Sequence, residues 1–292
     1  MSDSLEQEAP RRLTTASIGL GVVLSVLLVG AHFVYASQLA LAQAADSITD
    51  TFTALALLYS LRVGAAPADE DHPGGHHRAE PIAALLAAVL AGVLAVEVFR
   101  TALSALHAGE QPVLGIPLAV VFGIKIVTKS ILSSLSGRYH RATGSPALRA
   151  LQVDARNDVL VGVLALVGFV GAYTGWPALD IWLAMPIAVW IAASGLSLGA
   201  ENISLLMGEA PPAERQQELL QLALGIDGVL SAHDFTARYD GVRLQVTLHV
   251  VVDEQLSLRR AHDIAEGVEA RLREEHDVLS AMVHVDVDHD DP

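Results

Sequence analysis

Cysteine is absent from this chain of 292 residues, and its absence limits the chemistry available to the protein. Without thiols there are no disulfides, no thiolate metal ligands and no iron–sulfur cluster. Basic residues are also scarce, because 18 Lys and Arg stand against 33 Asp and Glu and give a formal net charge of −15. This balance argues against nucleic acid as a partner and is typical of a protein that attracts cations.

Charged residues of both signs make up only 17% of the chain, whereas hydrophobic residues make up 52% and the mean hydropathy is +0.44. A soluble enzyme is more polar than this. We therefore expect an integral membrane protein with a soluble tail. We also expect that it is not an enzyme and uses no organic cofactor. The N-terminus is polar and acidic and lacks the features of a cleaved signal peptide, so we expect none.

Six stretches are long and apolar enough to cross a bilayer, which takes about 20 helical residues. They cover residues 14–35, 38–62, 81–106, 113–136, 148–173 and 178–205. The arginines that flank them lie in alternate connections, namely Arg11, Arg12, Arg78, Arg138, Arg141 and Arg149. Because cytoplasmic loops carry an excess of Lys and Arg, this pattern predicts a multi-pass protein of the inner or plasma membrane with both termini in the cytoplasm.

The composition changes after Gly208, where the chain becomes polar. Residues 206–292 contain 18 Asp and Glu against 7 Lys and Arg. The residue pattern predicts a helix, two strands, a helix and a strand at 214–224, 232–239, 243–252, 258–275 and 282–287. We therefore expect three parts, which are a cytoplasmic N-terminal segment (1–13), a transmembrane domain of six helices (14–207) and a small cytoplasmic α+β domain with an open sheet (208–292).

Two pairs of aspartates lie in the apolar spans, where charge is costly. Asp46 and Asp50 are inside the second span, and Asp154 and Asp158 are near the start of the fifth. Residues i and i+4 share one face of a helix, so each pair places two carboxylates together. The alternative is that a pair starts and caps a helix at the membrane surface, which explains one pair better than both. Because ionisable groups in spans normally face a polar interior, we predict a site with four carboxylates.

A site made only of carboxylates favours hard cations such as Mn²⁺, Ca²⁺ or Mg²⁺, whereas imidazole at one or two positions would favour Zn²⁺. Crowded carboxylates repel one another, so the site should hold protons without metal and release them when metal binds. This coupling gives a physical basis for cation–proton exchange. Lys125 and Lys129, an i,i+4 pair in the fourth span, either point into the bundle, where they could pair with carboxylates, or extend to the membrane surface.

The loop before the third span contains a second group of candidate ligands. It holds acids and histidines beside two glycines, at Asp69, Asp71, His72, His76 and His77. This density of ligands could bind a divalent ion. A solvated loop whose charge keeps it out of the lipid is an equally good interpretation.

The polar tail contains a third group. Its histidines are His233, His249, His262, His276, His284 and His289. His233 and His249 fall on the two predicted hairpin strands, and His262 lies on the following helix. His284 and Asp286 are two residues apart on the last strand, so they face the same way. This cluster predicts a metal site, whereas His276 and His289 have no such partners and are expected to be solvated.

Taken together, these residues resemble the cation diffusion facilitator family along roughly 90% of the chain. The matching segments are residues 45–50, 71–80 and 154–158 in the predicted membrane domain, and 232–234, 248–249, 261–262 and 283–286 in the tail. The resemblance implies a homodimer with six transmembrane helices per subunit and a ferredoxin-like, metallochaperone-like tail. It also implies export of a divalent metal across the lipid membrane by alternating access, driven by inward proton flow.

The resemblance also implies three metal sites. The transport site would comprise Asp46, Asp50, Asp154 and Asp158. The loop site would comprise Asp69, His72 and His76, and the tail site His233, His249, His262, His284 and Asp286. Relatives that carry Zn²⁺ usually have histidine in one or both membrane pairs, so the all-aspartate form resembles the manganese branch, with Mn²⁺ as substrate.

Three other functions fit parts of the pattern. The same kind of exporter could act on Zn²⁺, Fe²⁺ or several ions. An intramembrane aspartyl protease also uses paired acids, but it needs one on each of two facing helices, usually in a Gly-x-Gly-Asp setting that this chain lacks. A membrane-anchored metal sensor would use the tail but would leave the membrane acids unexplained.

Overall fold

The computed structural model describes residues 2–35, 38–108, 116–174, 176 and 179–287. The chain divides into two compact units, Met1–Ile203 and Ser204–Pro292. The first unit is helical, and the second combines helices with a three-stranded sheet. The predicted fold class, a helical transmembrane domain followed by a small α+β domain, is therefore confirmed.

Long helices form the first unit. Their bounds are α1 (Ser2–Tyr35), α2 (Gln38–Gly64), α3 (Ala79–Ala108), α4 (Ile116–Thr143), α5 (Pro146–Thr174) and α6 (Leu179–Leu206). The helix α1 begins well before the predicted span and contains Pro10. The Thr14 hydroxyl, one turn later, donates to the Pro10 carbonyl oxygen at 2.7 Å. This bond gives the buried Thr14 hydroxyl a partner within its own helix.

Four of the described helices are apolar enough to span a membrane by length and composition alone. The segments are Pro10–Gly30, Ala79–Arg100, Ala119–Thr143 and Met185–Leu206, in α1, α3, α4 and α6. The other two long helices, α2 and α5, contain the two aspartate pairs. Charged side chains lower the hydropathy of a segment, and neither α2 nor α5 contains such a span within the described residues.

Small residues line the interior of this unit. The buried cluster combines alanines of α3 and α5, among them Ala84, Ala88 and Ala150, with Leu57 of α2 and Leu198 of α6. Alanine allows helix backbones to approach closely, and packing of this kind holds helices together in lipid. Large apolar side chains are instead exposed on the outside, as a lipid-facing surface requires. The packed interior fixes the faces of α2, α4 and α5 that carry charge.

The second unit contains α7 (Ala213–Leu224), β1 (Ser231–Asp240), β2 (Arg243–Val252), α8 (Leu258–Arg273) and β3 (Val278–Val287). The sheet order is β1-β2-β3, with β1 antiparallel and β3 parallel to β2. Gly241 begins the hairpin turn at φ 67°, a conformation that glycine adopts readily. The helix α8 makes the crossover that a parallel pair requires, and its apolar face covers the sheet.

The last strand differs most from the sequence prediction, because it begins at Val278 rather than at residue 282. Val278 is buried and pairs with Leu244, which starts the ladder four residues early. Residues 278–281 lack strict alternation of apolar and polar side chains, so their pattern did not indicate a strand. The helix α8 ends at Arg273, two residues before the predicted end.

Arg215 ties α7 to the turn between α8 and β3. Its guanidinium donates to Glu275 at 3.0 Å and to both carboxylate oxygens of Asp277 at 2.5 and 3.0 Å. Burial alone would raise the pKa of Asp277, but these bonds outweigh it and lower the pKa. The hydrogen bond from Arg215 likewise lowers the pKa of Glu275. Arg215 therefore helps to hold both acids in their ionised form.

Candidate metal sites

Three membrane aspartates converge between α2 and α5. Asp46 and Asp50 project from one face of α2, and Asp158 projects from α5. One oxygen of each carboxylate lies within 4.8 Å of the other two. Metal–oxygen bonds of about 2.0–2.6 Å place opposite ligand oxygens about 4–5 Å apart. The three oxygens are therefore close enough to share one divalent cation.

The fourth predicted ligand, Asp154, lies outside this group of three. Its side chain is 25% exposed, compared with 2% for Asp158 one turn further along α5. Asp154 still contacts the cluster indirectly, because its Oδ2 is 3.8 Å from the ammonium of Lys129, which also pairs with Asp158. The structure thus places Asp154 at the rim of the site.

Two lysines of α4 enter the cluster, so both point into the bundle. The Lys125 ammonium donates to Asp46 Oδ2 at 2.8 Å and to Gln43 Oε1 at 3.2 Å. The Lys129 ammonium donates to Asp50 Oδ2 at 2.9 Å and forms an ion pair with Asp158. Both lysine side chains are only 1% exposed. A buried charge requires such partners, and here acids and bases compensate one another.

The predicted loop ligands also meet. Asp69, His72 and His76 offer ligand atoms within 4.8 Å of one another. Asp69 Oδ1 accepts from the His72 backbone N–H at 2.6 Å, and this bond lowers the pKa of Asp69. His76 Nε2 lies 3.3 Å from Asp69, whereas its Nδ1 lies 3.2 Å from the Pro67 carbonyl oxygen. A proton on Nδ1 would make the second contact a hydrogen bond and leave Nε2 free to bind a metal.

In the tail, three histidines form a row across the sheet. His233 on β1 pairs with His249 on β2, and His249 pairs with His284 on β3. Their ring centroids are 5.1 and 4.6 Å apart along this row. Asp286 reaches the same row, with Oδ2 3.5 Å from His233 Nε2 and 3.9 Å from His249 Nδ1. The structure therefore brings four of the five predicted tail ligands together.

The fifth predicted tail ligand, His262, lies elsewhere on its domain. It projects from α8, is 65% exposed, and has Nε2 3.3 Å from Glu266 on the same helix. Within the described part of the chain it is not a member of the group formed around His233 and His249. The sequence placed it correctly on a helix but could not give the direction of its side chain.

The sequence prediction missed one acid of the tail site. Asp234 follows His233 and would face away from it in a regular strand. The ladder shifts register between His233 and Thr236, and Asp234 adopts φ 48°. Its Oδ2 therefore lies 3.3 Å from His233 Nδ1, and its ligand atom belongs to the group with His233 and His249. The adjacent His-Asp pair was visible in the sequence, but the bulge that unites them was not.

Two family descriptions match nearly the whole chain. Residues 13–207 match the cation efflux transmembrane domain, and residues 211–288 match the cytoplasmic domain of cation efflux proteins, a dimerisation family. The first match alone covers more than half of the chain and includes the membrane aspartates. The second includes the histidine row.

Relatives of similar length were also found. The uncharacterized transporter MJ0449 of Methanocaldococcus jannaschii is 28% identical over 96% of this chain and 99% of its own. The cation-efflux pump FieF of Citrobacter koseri is 30% identical over 97% of this chain and 95% of its own. Among solved structures, a MamM-CTD structure is 24% identical and covers 26% of this chain and 100% of its own, with a TM-score of 0.25.

Proposed function

The chain belongs to the cation diffusion facilitator family and is a multi-pass cation efflux transporter, and we propose that it exports Mn²⁺ in exchange for protons. The observation that carries the proposal is the oxygen-only ligand set formed by Asp46, Asp50 and Asp158. Oxygen ligands without imidazole suit Mn²⁺ better than Zn²⁺. The transported ion would bind these three carboxylates, with Asp154 joining from the rim.

Exchange for protons follows from the crowding of these carboxylates. Like charges within one site disfavour full ionisation, so protons should return as the metal leaves. Alternating access would open the site first to the cytoplasm and then to the opposite side. In this proposal both termini are cytoplasmic and lipid surrounds the apolar exterior of the six-helix bundle.

The transporter is a homodimer, because its tail matches the dimerisation domain of the family. We assign a regulatory metal site to the tail, with His233, His249, His284 and Asp286 as ligands and Asp234 as an addition. His262 would join only if it came from another direction, such as the second subunit. Asp69, His72 and His76 would form the loop site.

A second candidate is export of Zn²⁺ or Fe²⁺ by the same route. The loop and tail clusters favour it, because both combine imidazole with carboxylate and imidazole suits these metals. We rank it second because those clusters lie outside the bundle. The ligands inside the bundle are all oxygen, and the transported ion must pass them.

The test is metal uptake into proteoliposomes, comparing Mn²⁺, Zn²⁺ and Fe²⁺ with and without an opposing proton gradient. We expect Mn²⁺ to be carried fastest and its flux to rise with the gradient. An ionophore that collapses the gradient should remove this rise. Faster Zn²⁺ or Fe²⁺ transport would support the second candidate, and Mn²⁺ flux that ignores the gradient would reject exchange. Absence of any transport would favour a metal sensor.

A further inference from the structure

Two ammonium groups occupy the carboxylate cluster between α2, α4 and α5. Lys125 and Lys129 are one helical turn apart on α4, as Asp46 and Asp50 are on α2. Lys125 therefore pairs with Asp46, and Lys129 pairs with Asp50 one turn away. Asp158 contacts both lysines, with Oδ1 3.7 Å from Lys125 and Oδ2 against Lys129. Each carboxylate of the group that could hold a metal therefore already faces a cation.

The formal charges of this cluster match one divalent ion. Four carboxylates contribute −4 and two lysines contribute +2, which leaves −2 when all six groups are ionised. One divalent cation cancels this remainder. Without the lysines, one ion would leave the site with two uncompensated negative charges in a buried setting, where such charges are costly.

The lysines and a metal ion would compete for the same carboxylates. The oxygens bonded by the ammonium groups at 2.8 and 2.9 Å belong to Asp46 and Asp50, which are also proposed metal ligands. A divalent ion seated on these oxygens would lie within a few ångströms of both ammonium groups and repel them. The lysine stem has four flexible carbons, so a change of rotamer would withdraw the ammonium without moving α4.

We propose that Lys125 and Lys129 are tethered counter-cations, which the transported ion displaces from the carboxylates and which return to expel it. This inference rests on the proposed function and adds a release step to it. Three carboxylates alone would hold a divalent ion tightly and give it up slowly. A cation fixed to the protein at high local concentration weakens binding and hastens release. The lysines thus act on the ion through its ligands and are positioning residues.

Removing one ammonium group tests this step. Lys129→Met keeps an unbranched apolar stem and deletes the charge, whereas Lys129→Arg keeps the charge. We expect Lys129→Met to lower both the KM for Mn²⁺ and the kcat of transport by about 10-fold, because the ion gains attraction and loses its competitor. Lys129→Arg keeps the charge, so its KM for Mn²⁺ and its kcat should both stay close to the wild-type values. Arg100→Met is the matched control, since Arg100 is exposed on α3 and bonds Glu97 on the same helix.

Equilibrium binding of Mn²⁺ to the purified full-length protein provides the second measurement. It uses a background of Asp69→Ala and His249→Ala, so that the loop and tail clusters do not dominate the signal. Asp158→Ala in that background gives the blank. Lys129→Met should bind Mn²⁺ about 10-fold more tightly than the background protein. If Lys129→Met does not fold, Lys125→Met takes its place, because Lys125 pairs with the more exposed Asp46. We expect the same tighter binding of Mn²⁺ from it.

These measurements can contradict the role of the two lysines without contradicting Mn²⁺ export. Unchanged or weaker Mn²⁺ binding by a folded Lys→Met variant overturns the counter-cation role while leaving Mn²⁺ export intact. A higher KM for Mn²⁺ with unchanged kcat in Lys129→Met also overturns the counter-cation role, because it would mean that the lysine helps to attract the ion. If Asp158→Ala binds as much Mn²⁺ as the background protein, the membrane site itself is wrong and the inference falls with it.

Discussion

The membrane cluster and the tail cluster bind metal, in our proposal, by opposite physical arrangements. In the membrane, charged oxygens are buried and face lysines that are 1% exposed. In the tail, imidazoles dominate and the ring of His233 is 46% exposed. Buried carboxylates must always have a cation near them, whether lysine, proton or metal. Exposed imidazoles are satisfied by water, so the tail can remain open at low metal and respond as the metal concentration rises.

The difference also concerns rigidity. The membrane ligands lie one turn apart on packed helices, so each pair moves as one body. The tail ligands lie on three strands joined by hydrogen bonds, and His262 projects from the covering helix. In our proposal, the membrane site must bind and release an ion in each transport cycle. The tail site only needs to hold the surfaces of the two tails together when metal is bound.

The largest expected effect comes from deleting a carboxylate in the membrane. Asp158→Ala should reduce Mn²⁺ transport by at least about 100-fold, because the ion loses its most buried ligand and two lysines lose a shared partner. His249→Ala should retain substantial transport at saturating Mn²⁺. Proteoliposome flux at equal reconstitution measures both. Near-normal flux through a folded Asp158→Ala protein would show that the membrane cluster is not the transport site.

A smaller effect is expected from introducing a histidine, the main candidate ligand of the tail, into the membrane site. Asp154→His adds imidazole at the rim and removes one negative charge, so Mn²⁺ transport should fall and Zn²⁺ transport should rise. We expect the Mn²⁺/Zn²⁺ flux ratio to change by about 10-fold, less than in a site where Asp154 were central. Asp154→Ala is the control and should lower both fluxes. A ratio unmoved by Asp154→His would mean that these ligands do not set selectivity.

The tail should modulate transport more weakly. Residues 206–292 carry 18 acids against 7 basic residues, so two tails repel each other until a cation neutralises them. Metal should shorten the distance between spin labels on the two tails and stabilise the transport-competent state by roughly 1–3 kcal/mol. His249→Ala should abolish the shortening, and His276→Ala, which changes an exposed histidine outside the row, should preserve it. Equal distances with and without metal would refute this coupling.

The smallest effect on transport is expected from Arg215, which acts on tail stability instead. Arg215→Ala should destabilise the tail by about 1–2 kcal/mol at neutral pH, as loss of charged hydrogen bonds does. The pKa values of Glu275 and Asp277 are lowered in the folded tail, so this stabilisation is fully present above their ordinary values of 4.5 and 3.8 and is lost as the pH falls through the lowered values. Urea unfolding should show a larger stability advantage of the wild-type protein at pH 7 than at pH 3.

Sequence patterns predicted most of the fold because each element follows a simple period. The helices of the first unit are apolar for 20 residues or more, and the hairpin strands β1 and β2 match their predicted ranges within one residue at each end. Periodicity also placed each aspartate pair on one helix face. Apolar length predicted α2 and α5 as spans in spite of their aspartates, although neither contains a segment of span-like hydropathy within the described residues.

Contacts between elements were beyond the reach of these patterns. Nothing local states that Lys129 meets Asp50 and Asp158, or that Asp154 lies at the rim, because both depend on how α2, α4 and α5 rotate against one another. Asp234 was missed for a different reason. Strand alternation assigns it to the face opposite His233, and only an irregular register reverses that assignment.

In our proposal, that irregularity links metal binding to backbone energy in the tail. Asp234 occupies the left-handed region at φ 48°, which costs a non-glycine residue on the order of 1 kcal/mol even where aspartate tolerates it. Asp234→Gly would remove this backbone cost and the proposed ligand together. A bound ion would restrain the segment from His233 to Thr236. Occupancy should therefore be measurable as slower amide exchange in these residues, without any label on the metal.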